Sequence, residues 1–391
     1  MRVLLFTGKG GVGKTTTAAA TAVHAASRGL KTLVLSTDPA HSLADALGVD
    51  LGPEPTLVEP GLLAMQVDSQ RAFERSWRDV QTYLREVLER AGVDALQADE
   101  LTVLPGAEEV LALLELRSQA ASGRYDVIVV DCAPTGETLR LLALPEALAW
   151  YVEKVFPAHR RVMKAVRPLM SRVATLPGDG VFEAVARLHA DLADVRDLLT
   201  SDQTSVRLVL TPEAVVAAET RRTLTSLALY GYRVDGLIAN RVLPTSDDPW
   251  MAGWVEAQAA QLAAVRADVA PLTVRESPYA ATEPVGVEAL LAIADALYVD
   301  SDPLEVLDVA ELVTVERDSD GFLLSVALPL ARLEDLDLAR SGDELVMTVA
   351  GHRRLLALPS ALRRCDIAGA RLVDGRLVVR FEPDPSLWPT A

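Results

Sequence analysis

Short apolar runs, each closed by glycine or aspartate, punctuate most of the chain. Arg2 to Thr7 is the first; it stops at a glycine-rich segment, and the Ala-rich stretch Thr15 to Ser27 follows. The pattern predicts a strand buried on both faces, a loop and a helix. The same grammar recurs at Lys31 to Ser36, which runs into Asp38-Pro39, and at Tyr125 to Val130, which ends at Asp131. Further strands are predicted at Val206 to Leu210, at Val234 to Ala239 and around Pro271 to Val274, with helical stretches between them. Strands alternating with helices predict an α/β fold, a doubly wound, mostly parallel sheet covered on both faces. Ligands bind such sheets at the C-terminal ends of the strands. Two helical stretches, about 72–100 and 139–199, read as insertions. Their helices either cover the sheet, pack at a dimer interface or offer an amphipathic surface to an apolar client segment.

Near Val299 to Asp308 the period changes. The phrases GFLLSVALPL, DELVMTV, RRLLALP and RLVDGRLVVRFEP alternate apolar and polar positions, and Asp374-Gly375 sits where a hairpin turn is required. An antiparallel β sandwich of about 80 residues is expected there. The organisation read from the chain is therefore a large α/β domain over 1–302 and a small all-β domain over 308–391.

Charge narrows the partners. The formal net charge of −17 is spread along the sequence, and with no basic patch to override it the field repels nucleic acid and anionic membrane. The opening residues lack a cationic leader and a cleavage site, and no run reaches the roughly 18 apolar residues of a membrane span. Two cysteines, Cys132 and Cys365, form no chelate spacing or disulfide framework, so a cytoplasmic, reducing location is expected. Only five lysines occur, and two of them, Lys9 and Lys14, lie in the first glycine-rich loop. In so lysine-poor a chain that placement points to chemistry.

The loop reads Gly8-Lys9-Gly10-Gly11-Val12-Gly13-Lys14-Thr15-Thr16, between a predicted strand and a predicted helix, which is the P-loop pattern in its confirming context. Glycines let successive N–H groups turn inward around a polyphosphate, and the helix that follows presents its positive end. Lys14 is assigned to the β and γ phosphates and the Thr15 hydroxyl to Mg²⁺. Lys9 stands too early to reach the phosphates that its own loop wraps. It is expected to reach a nucleotide held by a second subunit, acting like an arginine finger in a homodimer. Asp38, after the second strand, is placed to orient and deprotonate water, with Ser42 close enough to approach Mg²⁺. Asp131, after the third, holds the Walker-B position for the metal or its water.

GKGGVGKTT, DPAHSL and DCAPTGETLRLL resemble the deviant P-loop, switch I and switch II of the ATPase family that contains the arsenite-pump ATPase and the factor that targets tail-anchored membrane proteins. The likeness spans about residues 1–300. It implies ATP and Mg²⁺ as cofactors, Lys9 as the lysine acting in trans, Asp38 as the catalytic carboxylate, and Pro134 to Gly136 as the γ-phosphate sensor. It further implies that Asn240 recognises adenine, that Glu213 contacts the partner's nucleotide, and that the segment from Pro278 to Leu290 closes over the base. The C-terminal segment resembles the α-crystallin domain of small heat-shock proteins.

Three departures bear on function. Glu137 stands where the family usually has His. The cysteine triad of arsenite pumps is missing, and soft thiolate ligands have no substitute here. The Cys-x-x-Cys zinc clamp of the targeting factor is also missing, so a zinc-free dimer is expected. The reading is an ATP hydrolase working as a nucleotide-gated homodimer on apolar clients or a partner protein. Its alternatives are a regulatory switch with the β sandwich as adaptor, and, ranked last, an arsenite-efflux subunit.

Overall fold

The computed structural model describes residues 1–38, 42–67, 107–133, 135–136, 179–299, 301–305, 311–319 and 321–387. Outside the described residues lie 72–100 and 139–178 of the expected insertions, Pro39 to His41 of DPAHSL, Pro134, Glu137 and 306–310 of the expected domain junction.

The elements follow as β1 (Arg2–Thr7), α1 (Lys14–Ser27), β2 (Thr32–Ser36), α2 (Ser42–Leu47), β3 (Thr56–Glu59), β4 (Leu62–Gln66), α3 (Ala107–Ala121) and β5 (Val127–Asp131). Next come α4 (Asp179–Thr200), β6 (Thr204–Leu210), α5 (Ala214–Leu229), β7 (Val234–Val242), α6 (Pro249–Val269), β8 (Thr273–Pro278) and α7 (Val287–Leu297). Among the described residues, eight strands form one sheet in the order β3-β4-β2-β5-β1-β6-β7-β8. All neighbours are parallel except β3, which runs antiparallel to β4. The fold class is thus the expected one, and the last residues of the second expected insertion form α4. β3 and β4 are additions to the sequence reading.

β1 lies in the middle of the sheet because every one of its residues is apolar enough, or well enough bonded, to be buried on both faces. Burying each of Leu4, Leu5 and Phe6 contributes about 1.5–3 kcal/mol. α1 can lie close to this sheet because six of its residues from Ala18 to Ala26 are buried alanines. It also packs along α7, where the hydroxyls of Thr21 and Tyr298 are 2.7 Å apart.

At the N-terminal ends of the strands a buried ionic cluster closes the sheet. Asp235 of β7 accepts bonds from Arg2 Nη2 (3.0 Å), Ser205 Oγ (2.7 Å), and Arg207 Nε and Nη2 (3.2 Å each). Arg207 also donates to the Tyr298 hydroxyl at 3.1 Å and to the carbonyl of Pro303, which fastens the chain as it leaves α7.

The described residues of the C-terminal part contain seven strands: β9 (Val313–Asp318), β10 (Gly321–Ala327), β11 (Leu336–Ser341), β12 (Glu344–Val349), β13 (His352–Ala357), β14 (Cys365–Val373) and β15 (Arg376–Pro383). They make two antiparallel sheets, β14-β15-β10-β9 and β11-β12-β13, as the alternation predicts. Asp374 and Gly375 both take positive φ (48° and 69°), the type I′ geometry of a two-residue hairpin. Leu324, Leu345, Met347, Val379 and Phe381 fill the space between the sheets. Leu229, the last residue of α5, belongs to this same core.

Candidate nucleotide site

The glycine loop leaves β1 at the centre of the sheet and is pinned by three neighbouring strand ends. A Cβ on Gly8 would stand 2.1 Å from the carbonyl oxygen of Val209 in β6, so no other residue fits. Gly13 has φ +92°, and a Cβ there would meet Asn240 Nδ2 at 2.1 Å. That amide donates to the Val12 carbonyl at 2.8 Å, while Arg241 Nη1 donates to the Gly11 carbonyl at 3.0 Å. From the segment after β5, the Thr135 N–H donates to the Gly8 carbonyl at 3.2 Å. Inside this frame Gly10 and Gly11 face open space, since a Cβ on either would have nothing within 4 Å.

The loop runs straight into α1, whose N-cap is Gly13 and has no side-chain cap. The first N–H groups of the helix are therefore left to whatever anion the loop encloses. Lys14, the first helical residue, is buried. An open glycine cradle, an uncapped helix start and a buried ammonium fit a polyphosphate.

Asp131 closes β5 beside Phe6 of β1 and Ser36 of β2, and it has no solvent exposure. Ser36 Oγ donates to its Oδ2 at 3.1 Å, and its buried Oδ1 has no hydrogen-bond partner. Burial pushes its pKa up to about 6, against the pull of the Thr15 and Ser36 hydroxyls and the Lys14 ammonium, while the nearby Asp38 charge adds to the rise. A buried carboxylate with a free oxygen, close to a threonine hydroxyl, fits a hydrated divalent cation. Thr15 and Asp131 are the residues that would hold it.

Asp38 follows β2 and is half-buried; its backbone N–H donates to Ser36 Oγ at 3.2 Å. Ser36 thus ties Asp38 to Asp131, a role no motif in the sequence announces. Thr37 adds a second tie, its N–H donating to the Asp131 carbonyl at 2.9 Å. Lys9 is 39% exposed and pairs with Glu219 of α5, Nζ to Oε2 at 3.9 Å. Glu219 and Arg241 are further residues that motif reading passes over, because nothing in their local sequence marks them.

The structure brings Gly8, Gly10, Gly11, Val12, Gly13, Lys14, Asp38, Asp131 and Asn240 to the ends of β1, β2, β5 and β7. Ser42 opens α2, and Glu213 is the exposed N-cap of α5, making no capping bond of its own. Gly136 is exposed, and Pro278 ends β8 at an exposed position opposite Val242. Thr16 lies in the first turn of α1. Cys132, next to Asp131, is buried and free, and burial pushes its thiol pKa far up, so it is a packing residue and not a soft ligand. Among the described residues no cluster of His, Cys, Asp and Glu has metal-site geometry, and no helix is long and apolar enough to cross a membrane.

The chain is similar to known proteins over both of its parts. Residues 1–299 match the family model of the anion-transporting ATPases, and residues 319–381 match an HSP20-like domain found in ArsA. An uncharacterized protein of Streptomyces coelicolor is 42% identical over 395 residues, covering 100% of this chain and 99% of its own. A putative arsenical pump-driving ATPase of Prosthecochloris vibrioformis is 36% identical, over 98% of this chain and 96% of its own. An ATPase ASNA1 homolog of Entamoeba dispar is 32% identical, over 61% of this chain and 76% of its own.

Proposed function

The chain belongs to the anion-transporting ATPase family and hydrolyses ATP, and from that premise we propose that it works as a Mg²⁺-dependent homodimer whose two sites complete one another. The observation that carries this reading is Lys9: a loop lysine that pairs with Glu219 of α5, outside the cradle where Lys14 is buried.

In this reading the N–H groups of Gly10 to Thr16 and the Lys14 ammonium bind the β and γ phosphates. Thr15 and Asp131, with Ser42 as a further candidate, would hold a magnesium ion, which would supply positive charge to the phosphate oxygens. Asp38 orients the attacking water and takes its proton. Lys9 of the second copy neutralises the charge that develops on the leaving phosphates. Asn240 uses one amide hydrogen to hold the loop and keeps its second hydrogen and its oxygen for adenine. Glu213 faces the partner's nucleotide, and Pro134 to Gly136 and the segment from Pro278 close on the γ-phosphate and the base.

Closure of the dimer would then gate binding of an apolar client or a partner protein. The arsenical-pump names of the relatives favour a metalloid-stimulated activity, but both thiols of this chain, Cys132 and Cys365, are buried in separate cores, which argues against metalloid capture. The test is ATP turnover and sedimentation of the purified chain with Mg²⁺, with EDTA and with arsenite. Mg²⁺-dependent turnover, an ATP-bound dimer and no response to arsenite are expected. A monomer that turns over ATP at full rate would refute the dimer, and arsenite stimulation would refute the client reading.

A further inference from the structure

The C-terminal sandwich grips one end of α5, and Lys9 is held near the other. Arg354 of β13, buried, donates to the carbonyl of Leu229, the last residue of α5. Its guanidinium lies over Gly231, where a Cβ would come within 3.2 Å of Nη2. A cation on the final carbonyls of a helix is favourable, because those groups carry the negative end of the helix dipole. Thr225 Oγ1 donates to the Pro329 carbonyl at 2.6 Å, and the rings of Tyr230 and His352 meet edge to face with centroids 6.4 Å apart. Leu229 itself is fully buried in the sandwich core.

Glu219 sits ten residues before Leu229, about 15 Å along a single helix. Val216 and Ala217 just before Glu219, and Leu224 and Leu227 between Glu219 and Leu229, are buried in the main core, so one continuous packed helix joins the two ends. We propose that α5 is a lever: the docked sandwich fixes its C-terminal end, and that placement keeps Glu219 on Lys9 as a latch that holds the lysine within its own chain. Glu219 is a positioning residue, and Arg354 sets it from a distance. A load on the sandwich shifts α5, frees Lys9 and speeds hydrolysis. The sandwich thereby reports its occupancy to the nucleotide site. This inference rests on the trans role of Lys9.

Steady-state ATP turnover of the full chain, measured across a salt titration, tests it in wild type, Glu219→Gln, Arg354→Ala and the double variant. Each single variant is expected to turn over about two- to fivefold faster at low salt, the range open to a partly exposed ion pair. Rising salt screens the pair and brings wild type toward Glu219→Gln. The double variant is expected to be no faster than the faster single. A double variant whose rate multiplies both single effects would overturn the lever, and an unchanged Glu219→Gln would overturn the latch. Thr225→Val, which removes the bond to Pro329 alone, takes the place of Arg354→Ala if that variant does not fold. Lys9→Ala separates the two levels. Full turnover without Lys9 sinks the trans reading itself, whereas slow turnover without Lys9 combined with multiplicative release effects sinks only the lever.

Discussion

Asp131 and Asp235 are buried in the same sheet at opposite ends of its strands, and the chain provides for them in opposite ways. Asp235 accepts four hydrogen bonds, three of them from the guanidinium groups of Arg2 and Arg207. Asp131 accepts one on Oδ2 from Ser36, its Oδ1 has none, and its pKa is pushed up to about 6. The first carboxylate is satisfied by the fold, which is how a buried charge becomes structural. The second is left short, at the strand ends where the glycine loop opens, which is how a carboxylate becomes a site for something that arrives later.

The largest effect expected on the open end is kinetic. Lys9→Ala should lower kcat by about 10³-fold or more with little loss of nucleotide affinity, the cost of losing a transition-state cation. Rate assays beside equilibrium nucleotide titration check this, and a matched loss of affinity would return Lys9 to ground-state binding. On the closed end the largest effect is on stability. Asp235→Ala strands two buried guanidinium groups and should cost about 3–5 kcal/mol in urea denaturation.

Asp131→Asn should do the reverse, abolishing turnover while stabilising the ligand-free protein. Because the folded pKa is about 6 against 3.8 for the free side chain, the native state binds this proton more tightly than the unfolded chain does. Ionisation of Asp131 therefore opposes folding at and above pH 6, by about 2–3 kcal/mol at neutral pH, and the penalty fades as pH falls from 6 toward 3.8. The stability gain of Asp131→Asn should shrink over that window. A destabilised variant at neutral pH would erase the contrast between the two carboxylates. The smallest effect is expected at Asn240→Ala, where losing the bond to the Val12 carbonyl should cost about 1 kcal/mol and weaken nucleotide binding.

Much of this was legible in the sequence, for reasons that differ by residue. β1 runs over Arg2–Thr7 as its apolar pattern predicts, because a strand buried on both faces has no alternation to obscure its ends. The sandwich announced itself through alternation and through Asp374-Gly375. β3 and β4 escaped because the pair is short, is joined through Pro60-Gly61 and has an exposed outer member that carries almost no hydrophobic signal. In the candidate site, the placement of the glycine loop, Asp38 and Asp131 at the ends of β1, β2 and β5 was readable, because each follows directly on a strand with a clear apolar pattern. Ser36, Glu219 and Arg241 were not, since their roles exist only once β2, β7 and α5 are brought to the same end of the sheet. Arg207, inside an apolar strand, gave no hint of the partner 28 residues away that makes its burial tolerable.

The measurement that tests the central claim most directly mixes two inactive chains, Lys9→Ala and Lys14→Ala, under conditions that exchange subunits. If Lys9 serves the neighbouring nucleotide, the mixed dimer holds one site with an intact Lys14 and a lysine lent from across the interface. Random mixing should then restore roughly a quarter of the wild-type rate. A mixture as inactive as its two components would place Lys9 in its own site and contradict the account.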